Sequence, residues 1–127
     1  MLKDVKCRCT CAGATVWVTG RSPADRRAAA YAMAERLAAE GRRVQVLDRF
    51  DGSGARTERT GVTAEVLARN GIVAIVPCAT AGAVTVRARH EASGTRYVEM
   101  SVTGKDAPQE SAAMVKALLI GGVDHQP

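Results

Sequence analysis

The feature that most constrains the fold is a strand, helix and strand in succession near the amino end. Residues 14–19 (ATVWVT) are apolar and β-branched and are followed by Gly20, a pattern typical of a buried strand that enters a turn. A helix is predicted over about residues 23–40, with Gly41 as its stop, and residues 43–47 (RVQVL) predict a second strand. This order predicts a βαβ unit and a parallel sheet.

The first predicted helix is rich in alanine. Its residues Tyr31, Met33, Leu37 and Ala38 are interpreted as an apolar stripe that faces the core. Because aromatic residues make up only 3% of the chain, we expect a core of small and branched aliphatic side chains.

The rest of the chain continues the alternation of helices and strands. A polar stretch over residues 49–58 precedes a predicted helix over 59–70, and the apolar run over 72–78 is typical of a strand covered on both faces. The remaining predicted elements are a short helix over 83–91, a strand over 96–102, a helix over 108–120 and an irregular tail over 121–127. We predict one α/β domain over 1–127, a three-layer sandwich with a mostly parallel sheet of about four to five strands.

Composition narrows the possible locations and partners. No apolar run approaches the roughly 20 residues of a membrane span, and the amino end lacks the apolar region of a secretory signal, so we expect a cytoplasmic protein without membrane contact. The net charge of +5 leaves open a polyanion partner, a pocket for anionic metabolites or a solvated basic surface. Scattered basic residues and few aromatic ones argue against nucleic acid.

Ligands of parallel α/β sheets bind at the carboxyl ends of the strands, which makes segment 20–27 and the residues after Asp48 candidate sites. Segment 20–27 reads GRSPADRR, in the frame where a phosphate-binding loop has G-x-x-x-x-G-K-S/T.

Four blocks of the sequence, TVWVTG-R-S, AMAERLAAEGRRVQVLD, EVLARNGIVAIV and the closing GVD, resemble the adenylyl-sulfate kinase family. The resemblance is strongest over residues 14–48 and 61–76. It implies a P-loop NTPase-like sandwich, commonly dimeric, that uses MgATP to phosphorylate the 3′-hydroxyl of adenylyl sulfate.

The loop departs from the family pattern G-L-S-G-x-G-K-S/T. Gly20 and Ser22 are kept, Pro23 and Asp25 replace the inner glycines, and Arg26 and Arg27 replace the lysine and the magnesium-binding hydroxyl. Proline has no N–H, and an aspartate would point a negative charge toward an anion. With a serine N-cap, proline at N1 and aspartate at N3, the segment predicts a self-capped helix start and a loop closed on itself.

Other family positions give further candidates. Gly20, Ser22, Arg26 and Arg27 are candidates for binding a phosphate or sulfate, although the two arginines are also consistent with a solvated face. Asp48 is the candidate catalytic residue if the protein is active, or a polar strand end, and Arg59 matches a substrate-binding arginine of the family. The family's substrate segment is much shortened, and ATAGA at residues 79–83 replaces its I-S-P-Y-R.

The amino-terminal segment over residues 1–12 contains Cys7, Cys9 and Cys11. In an extended strand their thiols would point the same way and could bind Cu(I) or Zn, with Cys78 or a histidine as a further ligand. The alternative is that they are ordinary free thiols.

These observations favour a kinase-like protein that lacks phosphoryl transfer and binds a partner protein, a second copy of itself, or a sulfated or phosphorylated small molecule. One alternative is an active kinase that uses MgATP on adenylyl sulfate or another small-molecule hydroxyl, with Arg26 in place of lysine. Another is a pocket reused for different chemistry that involves the cysteines.

Overall fold

The computed structural model describes residues 13–48, 54–78, 84–102 and 112–113. Its elements are β1 (Ala14–Thr19), α1 (Pro23–Ala39), β2 (Arg43–Val46), α2 (Gly54–Arg69), β3 (Ile72–Pro77), α3 (Val84–Ala92) and β4 (Arg96–Ser101). The strands pair in the order β2-β3-β1-β4, and every pair is parallel. The predicted α/β fold with a parallel sheet is confirmed, with four strands among the described residues.

Helices cover both faces of the sheet. Val16 and Val18 of β1 belong to a core cluster with α1, whereas Trp17 between them belongs to a second cluster with α2 and α3. Strand β3 divides in the same way, with Val73 and Ile75 on one face and its intervening residues on the other. Because successive strand residues point to opposite faces, the two clusters lie on opposite sides of the sheet. Helices, sheet and helices thus form the predicted three layers, and β3 is covered on both sides.

The carboxyl ends of three neighbouring strands converge around the end of β1. The Cys78 N–H donates to the Val18 carbonyl at 2.9 Å, and the Val102 N–H donates to the Thr19 carbonyl at 2.8 Å. From β1 the chain crosses to β2 on one side of the sheet, and from β3 it crosses to β4 on the other. The strand order therefore places a topological switch point, where such sheets bind ligands, between β1 and β3.

The predicted apolar stripe of α1 is half right. Met33 and Leu37 are buried in the core, but Tyr31 is 48% exposed and Ala38 is exposed as well. Residues two apart lie nearly opposite each other on a helix of 3.6 residues per turn, so Tyr31 cannot share a face with Met33. The buried stripe instead includes Ala29 and other residues.

Helix α2 begins at Gly54, so the prediction that residues 54–58 belong to a polar loop is wrong. The polar residues Thr57 and Thr60 are buried at 5% and 1% exposure, because this end of α2 packs against its neighbours. A Cβ on Gly61 would lie 2.6 Å from Cγ2 of Val86, so the glycine allows α2 and α3 to approach closely. Hydrophobic periodicity does not reveal a helix that buries threonines and a glycine.

The other boundaries agree with the predictions to within a residue or two, which is the usual uncertainty of helix and strand ends. The predicted last helix is represented by Ala112 and Ala113, which are helical. Its remainder, the tail over 121–127 and the cysteine segment over 1–12 lie outside the described residues, so the single-domain organisation over 1–127 stays a prediction. In the described ranges, no helix combines the length and the apolar character that crossing a membrane requires.

One buried histidine is explained by packing. His90 is fully buried, with Nδ1 2.8 Å from the Val86 carbonyl and Nε2 2.8 Å from the Thr15 hydroxyl. Its ring lies 5.0 Å from the ring of Tyr97. Since a carbonyl can only accept, Nδ1 carries the proton and Nε2 accepts from the threonine. Both ring nitrogens are satisfied, so His90 joins α3 to β1 as part of the core.

Candidate functional site

Gly20 shapes the turn after β1. Its φ of +151° is one that side-chain-bearing residues rarely adopt, and a Cβ there would lie 2.5 Å from the Val102 carbonyl oxygen. The carboxyl end of β4 thus passes directly against the loop. This residue is required by the backbone geometry, independently of any ligand.

The start of α1 is capped by its own residues. Ser22 is the N-cap, Pro23 follows at the first helical position, and the Ser22 Oγ accepts the Asp25 N–H at 3.2 Å. The self-capped start predicted from the sequence is confirmed. Proline contributes no donor and the Asp25 donor is used, so the Ala24 N–H is the donor of these first three positions that can face a ligand.

Arg26 folds back onto the loop. Its Nη1 donates to the Gly20 carbonyl at 2.6 Å, and the residue is only 6% exposed. The interpretation of Arg26 as part of a solvated face is therefore wrong. Because the guanidinium replaces the family's lysine, the contact places that positive charge against a carbonyl of the chain itself.

A second contact joins α1 to the end of β2. Oδ2 of Asp48 accepts the Tyr31 hydroxyl at 2.5 Å and lies 3.9 Å from Nε of Arg27. The Arg27 side chain is 61% exposed, whereas that of Asp48 is 24% exposed. The pKa of Tyr31 is raised above its ordinary value. The largest cause is the hydrogen bond to Asp48, and desolvation and the negative charge of that carboxylate are smaller causes. The structure thus brings two predicted site residues, Arg27 and Asp48, together with a third residue.

Tyr31 is a residue of this group that the sequence did not predict, because its place in an alanine-rich helix was interpreted as part of the core. The usable signal was its spacing, since Tyr31 lies one turn after Arg27 and residues at i and i+4 share a helix face. The βαβ unit brings that face beside the end of β2, where Asp48 stands.

None of the remaining candidates has a described contact with Arg27, Tyr31 or Asp48. Arg59 is exposed on α2, where its carbonyl accepts the Thr63 hydroxyl at 3.1 Å. Cys7, Cys9 and Cys11 lie outside the described residues. Cys78 is a free, buried thiol just after β3. Within the part of the chain that the structure describes, no group of three histidine, cysteine, aspartate or glutamate residues could hold a metal ion.

Chemically, this edge of the sheet combines two arginines with a carboxylate and a phenol. Arg26 is committed to a backbone carbonyl, whereas Arg27 is exposed beside Asp48 and can also reach solvent. An exposed guanidinium near the amino end of a helix is suited to bind a small oxyanion such as sulfate or a phosphate monoester.

The sheet order, the two helical layers and the glycine turn before a helix define an α/β domain of the P-loop NTPase-like class. Among solved structures, the chain is similar to the APS kinase CysC of Mycobacterium tuberculosis. A cysteine-to-alanine mutant of that protein is 26% identical, with a TM-score of 0.69, over 85% of this chain and 97% of that chain. The chain is therefore APS kinase-like, as the sequence resemblance predicts.

Two further structures share the fold. The same Mycobacterium tuberculosis protein in complex with AMPPNP and APS is 20% identical, with a TM-score of 0.69, over 85% of this chain and 98% of that chain. A hexameric APS kinase from Thiobacillus denitrificans is 24% identical, with a TM-score of 0.66, over 87% of this chain and 29% of that chain. No protein-family model and no curated protein matches the chain.

Proposed function

We propose that this APS kinase-like protein does not transfer phosphoryl groups and acts by binding a partner protein or a sulfated or phosphorylated small molecule. The observation that carries the proposal is the engagement of the loop with its own chain. Ser22 accepts the Asp25 N–H, and Arg26 donates to the Gly20 carbonyl. Catalysis of phosphoryl transfer depends on donors and cations that are free to surround the phosphates, and here several of them have internal partners.

Of the two kinds of ligand, a small anion is the one for which the described residues offer a partner. Arg27 is exposed near the amino end of α1, and the amino end of a helix favours negative charge. A triphosphate needs more donors than the Ala24 N–H and one arginine supply. We therefore expect a monoanionic or dianionic group, such as a sulfate or a phosphate monoester.

The decisive experiment is calorimetric titration of the purified protein with MgATP, ADP and adenylyl sulfate, together with a coupled phosphotransfer assay on the same sample. We expect no turnover and no micromolar affinity for MgATP. Micromolar MgATP binding with turnover would overturn the proposal.

Titration with inorganic sulfate tests the proposal that the protein binds a small anion. Arg27→Gln should weaken sulfate binding, because it removes the exposed guanidinium. Arg36→Gln, a change of an exposed arginine in the last turn of the same helix, is the matched control and should leave it unchanged. If no anion binds to any of these proteins, the search moves to protein partners.

The second candidate is an active kinase, and the retained Asp48 and the positive charge of Arg26 favour it. The structure of a protein with a similar fold contains AMPPNP and APS, which is consistent with this candidate. This candidate predicts turnover that requires MgATP and adenylyl sulfate and is lost in Arg26→Ala.

We also propose that the protein forms a homodimer, as the family resemblance implies. The Thiobacillus denitrificans relative is hexameric, which is consistent with self-association in this fold. Sedimentation equilibrium of the full chain would distinguish a monomer, a dimer and a larger assembly. The cytoplasmic location expected from the sequence stays a prediction.

A further inference from the structure

We propose that Arg27 and Tyr31 take the place of a divalent cation beside Asp48, so that this site binds its anion without a metal ion. The inference rests on the proposed function in taking an anion as the ligand. Beyond the proposed function, it states how the charge of Asp48 is balanced and which class of anion the site selects.

The geometry of the three side chains carries the proposal. Oδ2 of Asp48 accepts the Tyr31 hydroxyl at 2.5 Å, and Nε of Arg27 lies 3.9 Å from the same oxygen. Arg27 and Tyr31 are one turn apart on α1, so both reach the carboxylate from one helix face. One donor and one positive charge thus serve a single oxygen of Asp48.

Arg27 and Asp48 occupy positions that are important in the adenylyl-sulfate kinase family. Arg27 stands where the adenylyl-sulfate kinase family has the hydroxyl that binds magnesium, and Asp48 stands at the first aspartate of the family's L-D-G-D. In this chain they face each other, and the positive charge is covalently part of the protein.

The residues present do not fit a magnesium ion. Magnesium requires nearly octahedral oxygen coordination at short distances and gives up its water reluctantly. A guanidinium beside the only carboxylate of this group repels a dication, and the Tyr31 proton occupies a lone pair that a metal would use. In residues 13–48, 54–78, 84–102 and 112–113 no cluster of three metal-binding side chains compensates.

The class of ligand follows from this charge balance. A nucleoside triphosphate binds as its magnesium complex. The magnesium ion of that complex would lie close to Arg27, which repels it. A sulfate or a phosphate monoester brings negative charge alone, which Arg27 attracts. The site should therefore prefer metal-free oxyanions to magnesium nucleotides.

The test uses Mn²⁺ alone as the probe and follows the paramagnetic broadening of backbone amide signals by NMR. For the natural protein we expect no saturable broadening centred on Asp48 and the first turn of α1 in the millimolar range. The double variant Arg27→Ser and Tyr31→Phe frees the carboxylate and supplies a hydroxyl. We expect its broadening to saturate there at an Mn²⁺ concentration about tenfold or more below the highest one at which the natural protein shows none.

Controls separate this effect from nonspecific binding. Asp48→Asn in the double variant should abolish the broadening, and Arg36→Ser should behave like the natural protein. Tyr31→Phe alone removes only an exposed hydroxyl, so it should fold normally and show a partial gain. Specific broadening at Asp48 in the natural protein would overturn the inference, and so would the absence of any gain in the double variant.

The outcomes are distinguishable from those for the proposed function. Phosphoryl transfer that persists in EDTA would refute the proposed function and leave the metal-free site intact. Mn²⁺ bound at Asp48 of the natural protein, without turnover, would refute the inference and leave the proposed function intact.

Discussion

At the scale of single residues, the charges of Asp48 and Arg26 are balanced by neighbours that belong to the same chain. Asp48 is held by a tyrosine and an arginine of α1, and Arg26 donates to the Gly20 carbonyl at the start of the turn after β1. Hydrogen bonds to charged groups contribute about 1.5–3 kcal/mol when shielded and less at exposed positions. The buried Arg26 contact therefore contributes to the stability of the fold, whereas the more exposed contacts of Asp48 mainly set the electrostatics of the site.

The bond between Tyr31 and Asp48 predicts a titration. Asp48→Asn removes the carboxylate that raises the pKa of Tyr31, so we expect this pKa to fall toward its ordinary value of about 10. Absorbance of the phenolate during an alkaline titration measures it. Tyr97→Phe in the background leaves Tyr31 as the one tyrosine, since the chain has two.

The sign of the effect on stability follows from the same shift. Because folding raises the pKa of Tyr31, the bond stabilises the protein below about pH 10 and this contribution is lost as the pH rises through the folded-state pKa. Glu35→Gln on the same helix should leave the Tyr31 titration in place. An unchanged titration in Asp48→Asn would show that the bond does not form in solution.

Gly20 predicts a loss of stability that comes from the backbone. Gly20→Ala should lower the free energy of unfolding by about 2–3 kcal/mol, because its φ is unfavourable for alanine and the new Cβ meets the Val102 carbonyl. Urea unfolding measures the loss. Gly41→Ala is the matched control, since Gly41 also has a positive φ but open space around it, and about 1 kcal/mol is expected there. Equal losses at the two glycines would contradict the close approach.

At the scale of elements, α2 and α3 are tied together by a buried carboxylate. Glu65 is 2% exposed, its Oε1 accepts Nε of Arg89 at 2.8 Å, and its Oε2 lies 3.7 Å from Nη1 of Arg69. Hydrogen bonding from Ser93 and from Arg89 lowers the pKa of Glu65 against the opposing effect of desolvation. Together with the packing of Gly61 on Val86, this ion pair holds α3 against α2.

Glu65→Gln should lower the free energy of unfolding by about 1–2 kcal/mol at neutral pH, because the charge that Arg89 and Arg69 meet is removed. Since folding lowers the pKa of Glu65, its contribution is present above the ordinary glutamate pKa and is lost as the pH falls through the folded-state value. The free energies of unfolding of the natural protein and of Glu65→Gln, measured with urea, should therefore converge as the pH falls. Glu58→Gln, which affects an exposed bond to Thr85, should cost less.

The start of α1 carries a second prediction at this scale. Ser22→Ala should cost about 1 kcal/mol of stability, because the Asp25 N–H loses its acceptor. Ser22→Asp keeps a capping oxygen and should retain the stability of the natural protein. Thermal unfolding of the two variants tests whether Ser22 caps the helix. If Ser22 acted only on ligands, both variants would be as stable as the natural protein.

At the scale of the whole molecule, the loop is only one of several departures from the adenylyl-sulfate kinase pattern. Pro23→Gly, Asp25→Gly and Arg26→Lys together rebuild most of the phosphate-binding loop. We expect the triple variant to remain inactive in the coupled assay, because the family's substrate segment is shortened and its I-S-P-Y-R is replaced at residues 79–83. Circular dichroism would establish that the variant is folded, and full activity in it would show that the loop alone prevents catalysis.

The sequence by itself determined the features that depend on local pattern. The buried β1 and β3, the parallel α/β architecture, the glycine turn and the Ser22 cap all follow from runs of neighbouring residues, and each agrees with the structure. Only the tertiary structure decided where α2 begins, that Tyr31 faces Asp48, and that His90 binds Thr15 across 75 positions of sequence. Periodicity reports which residues share a face, but the partner of a polar side chain is chosen by elements that meet only when the chain has folded.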